Sequence, residues 1–314
     1  MIKKLIIIVY VFFITTTSCY SQCCSAGNPV GGDGINSGIS KNEIRIYTFF
    51  RHSLSKDYYH NTNKTIVPII ESSYYDFNNL SVTYGLFEKL LIHSELGYFI
   101  DKAQDLNFSG QKDKIKSHGL GDLTINIRYK LHEKAKPETQ LIISSGIKFP
   151  IGAFNEEQDG IYIPISLQPS SGALKYNASL FYSRKHNESK VGWNSFLMFE
   201  LSEKIEKDFL VYKYGNYTQF SLGGFYLINK NLTAIANLKY EWRAHDKREN
   251  ELRIESTGSN VVYFSPIIKY SIKNDFSFIL LGEIPFYKDV NGYQLTNFYA
   301  WQIGISKDFK PCFQ

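Results

Sequence analysis

From Asn78 to Asp101 the chain reads NNLSVTYGLFEKLLIHSELGYFID. Leu90, Ile92, Ser94, Leu96, Tyr98 and Ile100 fall on one side of this run, and Leu91, His93, Glu95, Gly97, Phe99 and Asp101 on the other. A period of two is that of a β-strand. Leu80, Val82, Tyr84 and Leu86 repeat it against Ser81, Thr83 and Gly85, and only Phe87, Glu88 and Lys89 separate the two runs. The stretch therefore predicts a hairpin with a short turn, whose second strand places His93, Glu95 and Asp101 opposite an apolar side. A soluble sandwich would turn that polar face to water, whereas a membrane barrel would turn it to the lumen and its apolar face to lipid.

The same period returns along the chain. Ile44, Ile46, Thr48 and Phe50 begin it, and Leu123, Ile125, Ile127, Tyr129 and Leu131 face away from Asp122, Thr124, Asn126, Arg128 and Lys130. Further runs carry Leu141 to Phe149, Leu174 to Tyr182, Val191 to Leu201, Phe220 to Tyr226, and Leu232 to Trp242. Those near 261–270 and 276–286 are less clearly sided, and the last passes through Tyr299, Trp301, Ile303 and Ile305 to Phe309. The total is about twelve strands of roughly ten to thirteen residues, enough to cross a bilayer when tilted. Long connections are expected over 54–74, 102–118, 151–171, 202–214 and 243–259, with a shorter one over 288–296, and tight turns lie between them. Short periplasmic turns alternating with long extracellular loops belong to an outer-membrane barrel, and a sandwich has no reason to keep that rhythm. The expected fold is all-β, an antiparallel up-and-down transmembrane β-barrel.

The ends of the chain fit export. Lys3 and Lys4 precede an apolar run from Leu5 to Ile14 and then small polar residues, the make-up of a signal peptide. No later stretch has the roughly twenty apolar residues of a membrane-spanning helix. The expected divisions are a signal peptide at 1–21, a flexible glycine-rich lead-in at 22–41 of which part can fold into the lumen, the barrel at 42–309, and a periplasmic tail at 310–314. Ser18 before Cys19 faintly resembles a lipoprotein box, but Thr16 stands where Leu is wanted. Hydrophobic residues make up only 43% of the chain, yet there are 23 Tyr and 23 Phe, which suits alternating strands with aromatic girdles. The net charge of +5 falls to +3 once Lys3 and Lys4 leave with the signal, which is no footprint for nucleic acid.

Cys23, Cys24 and Cys312 remain after export. An even strand count brings both ends of the barrel to the periplasmic side, so a disulfide from Cys312 to Cys23 or Cys24 is geometrically allowed, with unpaired thiols as the alternative. No CxxC spacing or His pairing marks a metal site, and no cofactor motif is present.

Several motifs resemble a bacterial outer-membrane family assigned to the meta-cleavage pathway of phenol degradation and often labelled "transporter" in Bacteroidetes. They are Gly119, Leu120, Gly121 and Asp122; Gly146, Lys148, Pro150 and Gly152; Leu167, Gln168, Pro169, Ser171 and Gly172; Ser265 and Pro266; and Pro285, Asn291, Gly292, Gln294 and Leu295. The CCSAGNPVGG start is similar too, and Phe309 resembles a C-terminal assembly signal from which the KPCFQ tail departs. The resemblance implies a porin-like barrel of this size in the outer membrane and a role in the passage of small solutes.

Parity assigns Arg45, His93, Glu95, Asp122, Arg128, Lys148, Lys175, Lys239, Glu241 and Arg243 to the lumen. Such charges either wall a solute path or pair as struts. Pairing is favoured, because an unpaired charge in a narrow interior is costly, and similar numbers of both signs predict no strong ion selectivity. The expected function is a channel or transporter for small solutes, hydrophobic or aromatic ones among them, with outer-membrane lipid and the solute as partners. The alternative is a non-conducting barrel that binds an envelope protein through an aromatic patch such as Tyr58, Tyr59, Tyr74 and Tyr75. An enzyme is supported least, since no His is followed two residues later by Ser, the spacing that would place both on one outer face.

Overall fold

A computed structural model describes residues 38–310 apart from 68, 109, 136–137, 187–188, 208–209 and 273–275. The signal peptide, Cys23, Cys24, Cys312 and most of the glycine-rich lead-in lie outside the described residues. The main sheet is a single antiparallel meander: β1 (Ile44–Asn61), β2 (Ile70–Gly85), β3 (Leu90–Phe108), β4 (Gln111–Ala135), β5 (Glu138–Phe149), β6 (Lys175–Lys185), β7 (Val191–Ser202), β8 (Tyr217–Leu227), β9 (Leu232–Arg243) and β10 (Ser259–Ile272), each paired with the next. One run, Phe276–Phe309, then completes the ring. Its residues 276–290 pair antiparallel with β10 and its residues 290–309 pair antiparallel with β1. A closed antiparallel ring needs an even number of strands, so this run reverses direction and supplies two, β11 (276–290) and β12 (290–309). Gly292, at φ +61°, takes the left-handed conformation of the reversal, and Lys288 Nζ donates to Thr296 Oγ1 across it at 3.1 Å. The barrel thus has twelve strands.

The siding of the strands follows the sequence period. Leu222, Leu238, Phe264, Leu280 and Ile303 stand exposed on the outer surface, while the residues on either side of each in sequence are buried inside. An apolar belt this extensive on the outside of a closed ring is the lipid-facing wall of a transmembrane barrel.

Two expectations are corrected. Residues 54–61, 70–74, 102–108 and 111–118 are strand, not loop, because the β1–β2 and β3–β4 hairpins continue past the apolar belt. Their outer portions are held by pairs such as Lys64 with Asp57 at 2.8 Å and Lys114 with Asp105 at 3.3 Å. Asp101 does not share the inner face with His93 and Glu95. Register shifts between Leu96 and Tyr98 and between Phe99 and Lys102 form bulges that exchange the two faces. Lys102 then turns inward, and Asp101 accepts a hydrogen bond from Tyr74 at 2.7 Å.

Candidate functional site

The interior is the part of the molecule where chemistry gathers. An arc of charge crosses its wall in the outer half. On one side Glu200 (β7) lies 2.5 Å from Lys148 (β5) and 3.5 Å from Lys175 (β6). On the other, Lys239 (β9) lies 2.9 Å from Glu241 on the same strand and 2.5 Å from Glu283 (β11), which also binds Arg51 (β1). Each carboxylate is shared or flanked by cations from neighbouring strands. Alternate side chains of adjacent strands stand close enough for this, so the inward parity of each strand is what assembles the arc. Tyrosine rings back the cations: Lys175 lies 4.3 Å from the centroid of Tyr214, Lys239 4.4 Å from Tyr263, and Arg243 4.4 Å from Tyr217.

Beside this arc runs an aromatic ladder on the inner faces of β1, β2 and β3. Ring centroids are 5.4 Å apart for Tyr47 and Phe49, 6.2 Å for Phe49 and Phe77, and 4.7 Å for Phe77 and Phe99. Ile267, Ile279 and Leu281 complete the cluster from β10 and β11. A second apolar group, Ile142, Phe181, Phe196, Met198 and Tyr217, lies on β5 to β8. Between them are buried carboxamides. Neither polar atom of the Asn79 side chain, nor the side-chain oxygens of Asn126, Asn194, Asn297 and Gln302, meets a partner among the described residues. Buried polar groups are costly without hydrogen bonds, so this lining offers them to water or solute.

Two cavities share Arg243. One of about 50 Å³ is bounded by Glu241, Arg243, Tyr263, Lys288, Thr296 and Asn297. The other, of about 30 Å³, is bounded by Lys175, Glu200, Tyr214, Tyr217, Arg243 and Asp246. Each is large enough for water and too small for a drug-sized ligand.

The outer end is capped by the connections. In the β5–β6 connection Leu167, Pro169 and Ser170 are fully buried. Lys102 Nζ donates to Gln168 O at 2.8 Å, Ser117 Oγ donates to Leu167 O, and Asp122 accepts from Ser170 Oγ at 2.6 Å and from Ser171 N at 3.0 Å. Asp122 therefore anchors the cap to β4. Phe154, Ala173, Ile205, Tyr212 and Ile254 pack together above the barrel, beside a small sheet of Lys204–Lys207, Leu210–Lys213 and Lys247–Arg248. In this exposed layer hydrogen bonds from Lys204 and Lys247 hold the Glu206 and Glu251 carboxyls below their ordinary range.

At the periplasmic end Arg45 donates twice to Asp308, both bonds at 2.7 Å. His93 is buried, lies 2.9 Å from Thr83 Oγ1 through Nδ1, and sits 3.7 Å from Glu95. Ile39 is only 3% exposed, and Gly38 N donates to Gln140 Oε1 at 3.3 Å. Gly38 also packs near Lys130 and Ile142. The end of the lead-in thus reaches from the start of β1 to β4 and β5.

The ten charged residues assigned to the lumen from parity lie on the buried or half-buried side of their strands. The structure brings Lys148 and Lys175 together through Glu200, pairs Lys239 with Glu241 and His93 with Glu95, and keeps Arg45 with Asp308 apart from these groups. Sequence reasoning missed Arg51, Lys102, Glu200, Glu283 and Asp308. Arg51 was legible, since it follows Arg45 by an even number of positions, and Glu200 stands opposite the outward Phe199 and Leu201. Lys102 was not, because its side depends on a bulge.

The sequence model of a family described as "Putative MetA-pathway of phenol degradation" matches residues 88–303. The chain belongs to this family. Its fold is similar to the crystal structure of an outer membrane channel from Pseudomonas putida F1, at 12% identity and a TM-score of 0.69, covering 90% of this chain and 100% of that one. Looser likenesses include the TodX deltaS2S3 mutant monoaromatic hydrocarbon channel, at 9% identity and a TM-score of 0.47 over 88% of this chain and 91% of that one. Another is the Ralstonia pickettii toluene transporter TbuX, at 8% identity and a TM-score of 0.42 over 87% and 90%. Overlap at those two scores is too slight to add to the fold assignment. A comparison with curated proteins finds no match.

Proposed function

We propose that the protein is an outer-membrane channel for small solutes, hydrophobic or aromatic ones among them. The observation that carries this reading is the inner wall itself: an aromatic ladder from Tyr47 to Phe99 beside an arc of cross-strand ion pairs. Such a surface offers an apolar track together with hydrogen bonds, and no large separated charge to hold back a neutral molecule. The ten parity-assigned residues act as lining, and their partners Glu200, Glu283 and Arg51 fix them in place. Membership of a family tied by its description to phenol breakdown supports a small aromatic cargo. Residues 1–21 direct export and are then removed, and an oxidising periplasm permits the bond from Cys312 to Cys23 or Cys24.

A second reading, a non-conducting barrel that holds an envelope partner, is favoured by one feature. The two cavities beside Arg243 hold only about 50 and 30 Å³. A benzene-sized solute fits neither of these two spaces unless side chains such as Arg243 or Lys288 move. Planar-bilayer recording with purified protein separates the two readings. Discrete conductance steps support the channel, and an electrically silent, solute-tight barrel supports the partner role.

A further inference from the structure

The two cavities in the outer half of the lumen have walls of different kinds. Among the described residues Arg243, the last of β9, is the one that borders both. In the sheet it pairs with Tyr217 at the start of β8 and with Ser259 at the start of β10, and Tyr217 lines the smaller cavity while Ser259 lines the larger. The inward parity of β9 thus puts the Arg243 side chain between the two spaces. Other walls are tied down by directional bonds. Around the smaller cavity Asp246 accepts from Tyr212 Oη and from Gly215 N, the latter at 2.7 Å, and Glu200 holds Lys175 at 3.5 Å. Around the larger one Gln294 Nε2 donates to Gly258 O at 2.9 Å, Lys288 Nζ to Thr296 Oγ1 at 3.1 Å, and Asn297 Nδ2 to Ser53 Oγ at 2.7 Å. Arg243 rests on the face of the Tyr217 ring, 4.4 Å from its centroid. A ring face holds a guanidinium at many positions, so this contact lets the side chain slide where a directional bond would fix it.

Size gives this arrangement its meaning. The cavities hold about 50 and 30 Å³, each well short of the ~150 Å³ that accepts a benzene ring. With Arg243 drawn aside the two run together, and the volume of its own side chain is added to them. The Tyr217 face that the guanidinium vacates is then open to a planar solute, whose stacking offsets the contact that is lost. We propose that Arg243 is the residue that sets the solute size limit of the channel: a movable partition whose retreat from Tyr217 opens one space for a ring-sized molecule. Lys288 is not its equal, because it borders the larger cavity alone and is bonded to Thr296. The consequence for transport rests on the channel reading, while the partition itself is open to a test without conduction.

The test compares the full mature chain with Arg243→Ala and Arg243→Met in liposome swelling. Rates for the unmodified protein should fall off once neutral solutes pass the size of a benzene ring. Arg243→Ala should admit the next larger solutes about tenfold faster, since the bulk is gone and no ring contact has to be broken. Arg243→Met keeps the bulk without the charge and should retain the original limit. An unshifted limit in Arg243→Ala, or the same shift in Arg243→Met, overturns the partition. A second measurement does not need conduction. Ser202→Cys, in a chain with Cys23, Cys24 and Cys312 replaced by serine, places a thiol in the lining of the smaller cavity. Benzyl methanethiosulfonate should label it slowly relative to the methyl reagent, and adding Arg243→Ala should raise that ratio of rates about tenfold. Heat modifiability on gels reports folding; should Arg243→Ala fail to fold, Arg243→Val, a strand former also smaller than Arg, carries the same expectations. Liposomes tight to every solute together with a raised labelling ratio would refute the channel reading and leave the partition standing. Swelling by the unmodified protein with the size limit and labelling ratio unchanged in Arg243→Ala would refute the partition and leave the channel.

Discussion

Glu200 shows how much one side chain does inside this wall. It lies between Lys148 and Lys175, and its removal leaves two ammonium groups side by side with only 11% and 12% of their side-chain surface exposed. Breaking a buried ion pair by deleting one member costs more than the pair contributes, because the remaining charge stays desolvated. Glu200→Gln should lower unfolding stability in lipid vesicles by about 3 kcal/mol in a urea titration. A change below about 1 kcal/mol would mean that water solvates these lysines and that they behave as an exposed pair. Gly97 is a different case. A Cβ there would fall 1.9 Å from the Phe77 ring, which is packed against Phe99 at 4.7 Å. Gly97→Ala should therefore cost about 1–3 kcal/mol as the ring is forced from its place. Replacing Phe77 by Leu in the same chain should recover part of that loss.

Along each strand, the sequence was most legible where lipid and lumen impose opposite demands on alternate residues. The run Asp122 to Leu131 shows this, with Ile125, Ile127 and Tyr129 outside and Asp122 and Lys130 buried. Where a strand leaves the hydrocarbon the contrast fades, since both faces then meet water. Lys112, Asp113, Lys114 and Lys116 read as loop for that reason, though backbone pairing carries β3 and β4 on to Phe108 and Gln111. Ion-pair partners were illegible for another reason. Which charges meet depends on cross-strand register, and Lys239 finds Glu283 on a strand two places away around the ring. The wall also gives a sharp contrast between adjacent positions. Leu238 is 54% exposed on the outer surface, and Arg there should cost about 2–4 kcal/mol of stability in a bilayer, while Leu238→Phe should be nearly neutral. Equal tolerance of both would place that face in water.

Taken whole, the molecule is a twelve-stranded cylinder that is apolar outside, capped at one end by its own connections, and filled inside by ion pairs, aromatic rings and carboxamides. The fold follows from the period of two and from the rhythm of short and long connections. So does the place of its closure, since the reversal at Gly292 falls inside the short connection expected over 288–296, although strand structure runs through that stretch. In the outer half, ion pairs tie the charges together across strands, and the cations Arg51, Lys148, Lys175, Lys239 and Arg243 outnumber the carboxylates Glu200, Glu241 and Glu283. The most direct test of a channel is liposome swelling with the purified mature protein in isosmotic solutions of small neutral solutes. Swelling faster than in protein-free liposomes, falling off as the solute grows past the size of a benzene ring, is the predicted result. Liposomes that remain tight to every solute, with the barrel shown to be inserted and folded, would contradict it.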